Sequence, residues 1–305
     1  MKPTRTISLS VFSVVLLGIG AFFTLPAAAS IETFPAGDGP WGLAFDGANI
    51  WTADLYGDTM TKLRASDGAI LGTFPAGDEP LYAAYDGANI WVTNYGFATV
   101  TKLRASDGAL LATFPVGNFP VGILFDGENI WVANSGDDNV SKLLASDGTV
   151  LGTFPVGDRP WEMAFDGSNI WTSNNYENTL TKLRASDGAR RGRIAVGISP
   201  AGLLFDGSKI WVAHYGENTV SKIEPKTGEI EVTVEVGSFP IDLAFDRQHV
   251  WVTNSGSDNA MKLRRGTGTV QRVYPTEAYP VGVVFDGTSI WVANHDSDTV
   301  TKITP

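Results

Sequence analysis

From residue 30 onward, short apolar runs alternate with clusters of Gly, Asp, Asn and Ser. The stretch 120–157 shows the unit. Gly122-Ile123-Leu124-Phe125 reads as a short buried strand. Asp126-Gly127-Glu128-Asn129 reads as a turn, because Gly accepts positive φ and Asp bonds its own backbone. Ile130 to Asn134 is a second strand, rich in β-branched and aromatic residues. Ser135 to Asp138 turns again, and Asn139 to Leu143 alternates apolar and polar side chains, as a half-exposed strand does. Ser146-Asp147-Gly148 is a third turn, and Thr149 to Phe154 the fourth strand. No stretch beyond residue 30 keeps a helical period.

The unit recurs with a step of 40 residues and no slip. Trp51, Trp91, Trp131, Trp171, Trp211, Trp251 and Trp291 mark the seven copies. Pro40, Asp46 and Lys62 each begin a series with the same step. The repeats begin near residues 34, 74, 114, 154, 194, 234 and 274. Four strands per 40-residue repeat describe a blade of an all-β propeller. A linear solenoid is the alternative, and the ends of the chain discriminate. The last repeat stops after its third strand, whereas Ser30 to Phe34 aligns with a fourth strand. These halves complete one blade only if the ring closes, which also removes exposed sheet edges. The expected fold is a seven-bladed propeller of four-stranded antiparallel blades, one domain over residues 30–305. The repeated tryptophans and Asp-Gly turns are expected to be scaffold. The lysines, mid-strand, are expected to be solvated or locally paired.

Lys2 and Arg5, an apolar run from Ile7 to Phe23 and Ala27-Ala28-Ala29 describe a secretory signal peptide over residues 1–29. Export is therefore expected, to the periplasm, the cell surface or the exterior. No later segment is apolar and long enough to cross a membrane. The formal net charge is −11, and it becomes −13 once Lys2 and Arg5 are removed. So acidic a chain is a poor partner for nucleic acid or anionic lipid. There is no cysteine, hence no disulfide, thiol nucleophile or Cys-ligated metal. Its three histidines, His214, His249 and His295, lie in three different repeats. The oxygen-rich turns at 134–138 and 294–298 lack the ligand spacing of an EF-hand. No cofactor or metal is expected, and a closed ring is expected to be monomeric.

Trp91-Val92-Thr93-Asn94 and Trp251-Val252-Thr253-Asn254 resemble the core of the YVTN family of propeller repeats, which implies an envelope or surface protein. The chain is also similar to the streptogramin B (virginiamycin B) lyase group of seven-bladed propellers. That resemblance implies an elimination that opens a cyclic depsipeptide with help from a divalent metal. Its motif sets His after the repeat proline and Glu at the end of the second strand. Here Trp41, Leu81, Val121, Trp161, Ala201, Ile241 and Val281 follow the prolines. Asp54, Asn94, Asn134, Asn174, His214, Asn254 and Asn294 close the second strands.

Departures from the repeat mark where function is expected. The second residue after the proline is Gly42, Gly122, Gly202 and Gly282 in odd repeats, but Tyr82, Glu162 and Asp242 in even ones. Trp41 and Trp161 are the tryptophans outside the main series, and Tyr56, Tyr95, Phe97, Tyr176 and Tyr215 lie in neighbouring loops. In a propeller these positions share one face, around the channel mouth. Aromatic rings beside carboxyl groups suit a small molecule, glycan or peptide. The expected ligand site is Trp41, Tyr82, Trp161, Glu162, His214 and Asp242, in a non-catalytic binding or interaction propeller. Two alternatives stand beside it. One is a hydrolase or lyase pairing Glu162 with Asp242 or His214, and the other is a structural surface-layer component.

Overall fold

In the computed structural model, which describes residues 29–305, 28 strands form seven four-stranded antiparallel sheets. The predicted signal peptide lies outside the described residues, save for Ala29. The first full blade is β2 (Pro40–Phe45), β3 (Asn49–Asp54), β4 (Thr59–Arg64) and β5 (Ile70–Pro75). The innermost strand of each blade packs on that of the next, and β26 (Pro280–Phe285) returns to β2. The fold is a seven-bladed β-propeller. The single helical turn among the described residues is a 3-10 turn at His295–Ser297.

The ring closes through the N-terminal strand. β1 (Ser30–Pro35) pairs with β28 (Thr299–Thr304), in register from Ser30↔Thr304 to Pro35↔Thr299. Phe34 stacks on Trp291 with centroids 5.6 Å apart, as Phe74 meets Trp51 at 5.4 Å in the first full blade.

Each repeated tryptophan is buried between blades. A buried indole needs an acceptor for its N–H, and the Asp-Gly turn supplies it. Asp46 Oδ2 accepts from Trp51 Nε1 at 2.9 Å, while its Oδ1 accepts from the N–H groups of Ala48 and Asn49. Gly47 at φ +97° lets the turn tighten. The same indole–aspartate bond recurs in every blade at 2.7–2.9 Å.

Local pairing holds for Lys222, 3.1 Å from Glu231, but six of the seven lysines also reach the next blade. Lys62 is only 6% exposed and donates to Ala105 O in the next blade at 2.6 Å, with Nζ 5.0 Å from the Trp51 ring centroid. Lys102, Lys142, Lys182 and Lys222 reach the following blade in the same way, and Lys302 closes the circle on Ala65 O at 2.8 Å. A long apolar stem buries against the indole while the ammonium finds carbonyls at the seam. These lysines clasp neighbouring blades.

Candidate functional site

Antiparallel blades put the loops after the second and fourth strands on one face. The hydrogen bond from Leu55 N to Gly39 O, 3.0 Å, ties two such loops together. Neighbouring blades are also tied there. Asp58, at φ +54°, accepts from Glu79 N at 3.0 Å, and Asp298, at φ +52°, accepts from Gly39 N at 2.9 Å across the closing seam. Asp and Asn tolerate this left-handed backbone, and their short side chains reach one loop further.

The innermost strand breaks register just after its proline, between Pro40 and Leu43 in the first full blade. The residue in this break faces the next blade, and two kinds of seam result. At Gly42 a Cβ would lie 2.5 Å from Leu81 O, so the neighbour's backbone excludes any side chain. Gly122, Gly202 and Gly282 meet the following blade in the same way. In the even blades a hydroxyl from the second strand bridges the seam. Thr93 Oγ1 accepts from Tyr82 N at 3.1 Å and donates to Val121 O at 2.8 Å. Ser173 does this for Glu162 and Ala201 O, and Thr253 for Asp242 and Val281 O. In the odd blades Ala53, Ala133, Ala213 and Ala293 take the hydroxyl's place. This second alternation was visible in the sequence beside the Gly one, but its bridging role needs the neighbouring blade.

Tyr82, Glu162 and Asp242, at the hydroxyl-bridged seams, form one electrostatic cluster. Glu162 is 8% exposed; Oε1 accepts from Met163 N at 3.2 Å and Oε2 has no partner. Burial, then the Asp242 charge, pushes its carboxyl well above the usual range. Asp242 keeps some solvent access, yet protein surrounds its carboxyl. Burial pushes it up to about 6, against N–H donors from Val283 and Leu243 at 2.9 and 2.7 Å. Burial first, then the charges of Asp242 and Glu162, raises the Tyr82 phenol. The indole N–H groups of Trp41 and Trp161 approach that phenol, but none of the three atoms completes a hydrogen bond.

Trp41 and Trp161 sit one residue nearer the mouth than this cluster, and both pack on the core of the second and third blades. Trp41 also packs on Ile241 and Val281 from the far side, so it spans the channel. The two indoles form a floor. Above it lies a cavity of about 260 Å³ walled by Trp41, Trp161, Tyr176, Tyr215 and Tyr279, with Arg159 at the rim. The polar cluster lies beneath the floor and outside the cavity lining.

His214 stands apart. It belongs to the series of Asp54 and Asn94, whose side chains take the N–H of a mouth-face glycine and hold third-strand hydroxyls. Its Nε2 lies 2.9 Å from Ser221 Oγ inside its own blade, and burial lowers its pKa to about 4. The structure thus brings five of the six expected residues to the channel and leaves His214 in the blade interior. Reasoning from sequence missed Arg159, Asn175 and Tyr279, which come from three different loops. It also missed His295, whose ring packs 5.0 Å from Trp41 behind the floor. His249 lies 3.2 Å from Asp246 in the place Asn49 takes in the first full blade.

Wider troughs of about 610 and 640 Å³ open on the opposite face. They are lined by repeat residues such as Lys182 with Arg184 and Lys62 with Arg104, so they are seams of the scaffold. Among the described residues no cluster of three His, Asp or Glu side chains is arranged to hold a metal, and no helix is long and apolar enough to cross a membrane.

A family model described as the outer membrane protein assembly factor BamB matches residues 43–303. Among solved structures, hydrazine synthase of Kuenenia stuttgartiensis superposes with a TM-score of 0.81 at 18% identity, covering 88% of this chain and 96% of that one. A streptogramin B lyase structure superposes with a TM-score of 0.78 at 21% identity, covering 90% of this chain and 97% of that one. At such identities the likeness is one of fold. No curated protein matches the sequence.

Proposed function

The chain belongs to the family of the outer membrane protein assembly factor BamB, and from that premise we propose that it is an exported binding or interaction propeller that takes its ligand at the channel mouth. The compartment is the periplasm, the cell surface or the exterior. What carries the reading is the aromatic cavity seated on Trp41 and Trp161. The repeat does not call for these rings, since Val121, Ala201 and Val281 occupy the same place in other blades. Flat rings of this kind bury apolar faces of a small molecule, glycan or peptide while Asn175 and the tyrosine hydroxyls orient it. The test is a screen of glycans, peptides and small molecules by tryptophan fluorescence. Trp161→Ala should weaken the hit by about 1–3 kcal/mol, the usual cost of losing a stacked aromatic anchor. Asp147→Asn on the opposite face should not. A lower melting temperature with affinity intact would reduce Trp161 to a plug and sink the proposal.

One observation favours a catalytic reading. Glu162 and Asp242 have raised pKa values and face each other electrostatically, which is how paired carboxyl groups divide acid and base roles. Their position beneath the indole floor argues against a substrate reaching them. The His and Glu of the streptogramin lyase motif have no counterpart here. A type B streptogramin incubated with the protein and magnesium should remain closed by mass spectrometry, and turnover above a heat-killed control would restore the catalytic reading.

A further inference from the structure

The mouth face is acidic, with a carboxylate in ten of its fourteen loops. Its fourteen loops, taken between the strand ends, carry thirteen aspartates and glutamates and one arginine, with no lysine. On the opposite face cations offset many of the carboxylates. Asp46 and its equivalents accept from the buried indoles, Arg64 pairs with Asp67 at 2.8 Å, Arg104 with Asp107 at 2.9 Å, and Lys209 with Glu224 at 2.6 Å. Among the described residues the mouth-face loops contribute one ion pair, between Glu177 and Arg193. The net negative charge of the propeller is therefore concentrated around the aromatic cavity.

We propose that the ligand taken at the mouth is a cationic peptide segment, with an arginine or lysine side chain seated in the aromatic cavity and its neighbours lying over the acidic loops. The inference rests on the mouth being a binding site and names what binds there. Two observations agree. The cavity walls are aromatic rings, whose faces attract a cation. The acidic ring extends well past a cavity of about 260 Å³, so its complement is a chain and not one ammonium ion. The protein also shows how a guanidinium sits at this rim. Arg159, the only cation of the loops, lies over the Tyr176 ring at 4.5 Å and bonds its hydroxyl. It occupies the place that a ligand's guanidinium would take.

The probes are hexaarginine, hexalysine and hexaglutamate, titrated into the purified protein and followed by tryptophan fluorescence and calorimetry. Hexaarginine should bind saturably and weaken about tenfold or more as salt rises from about 50 to about 500 mM, since exposed charges are screened over that range. Tyr176→Ala and Tyr215→Ala should each weaken it about three- to fivefold. Arg159→Ala should tighten it about two- to fivefold, because it frees a ring and removes a like charge. Asp67→Asn on the opposite face should change nothing. Equal binding of hexaglutamate, or weaker hexaarginine binding after Arg159→Ala, would overturn the cationic class. Hexaarginine binding that ignores both tyrosine variants would overturn the seat in the cavity. A neutral glycan that binds, is lost with Trp161→Ala and competes with no cationic peptide would overturn this inference while leaving the mouth as the binding site.

Discussion

The two faces of the disc rest on the same strands, yet they use their loops differently. On the face away from the mouth every blade repeats one device, an aspartate that gathers two backbone N–H groups and a buried indole. On the mouth face the side-chain ties vary from blade to blade: Asp58 and Asp298 bridge seams, Asp137 and Ser257 hold the N–H groups of Asn118 and Ser238, and Ala98 leaves its seam without an Asx residue. The residues between are free to differ, and there the aromatic rings, the acidic ring and Arg159 collect. A loop whose side chains complete the strand network cannot vary without cost, whereas a loop held by its backbone can. In this propeller the division between scaffold and site follows that division between faces.

Opening the ring is the harshest way to break the comparison, because both faces depend on closure. Removing Ser30 to Phe34 strips β28 of its outer partner and takes the ring that covers Trp291. The melting temperature should fall by about 10 °C or more, and the exposed edge should drive association. An unchanged melt with a monomeric elution profile would show that closure is not what holds the faces in place.

Asp166→Ala tests the repeated face alone. It leaves the Trp171 indole and the N–H groups of Ser168 and Asn169 without their acceptor, which should cost about 2–4 kcal/mol. Chemical denaturation measures this, and binding at the mouth should persist in the folded fraction. Loss of binding in protein shown to be folded would mean that the faces are coupled.

A smaller and opposite effect is expected where the mouth face borrows from the scaffold. Asp54 holds the loop N–H of Gly37, but burial raises its pKa from 3.8 to about 6. The folded state then binds more protons than the unfolded one between those values. Stability should fall as pH rises from about 4 to about 6 and stay reduced above, by at most about 3 kcal/mol for a shift of about two units. Five sister blades use Asn at this position. Asp54→Asn should therefore raise the melting temperature at pH 7 and flatten the curve between pH 4 and 6, with the remaining slope due to Asp242 and Glu162. A variant no more stable than the parent at pH 7 would refute the assignment to Asp54.

The ring was legible because it depends on a local signal repeated seven times, the tryptophan step, and on a spare strand at the N-terminus that matches the one missing at the C-terminus. The site was legible only in part. Trp41 and Glu162-type residues differ by a single step along the strand, yet that step separates the cavity floor from the cluster below it. The register break after the proline sets that depth, and nothing in the residues announces it. His214 looked like a channel residue because it ends a second strand, but the residue closing that strand turns into the blade. The lysines misled for a related reason: a mid-strand lysine reads as solvated unless the next blade, about 40 residues on, is placed against it.

Alternation between glycine-tight and hydroxyl-bridged seams is a two-coloured pattern, and a circle with an odd number of members cannot be coloured that way. The pattern must fail once, and it fails where Gly282 meets Trp41 and Gly42, so that two tight seams adjoin. That single fault abolishes every rotation that would map the ring onto itself. Tyr82, Glu162 and Asp242 consequently stand at places that no turn of the disc can exchange, and whatever settles over them meets one fixed bearing, as a key meets a lock with an off-centre pin.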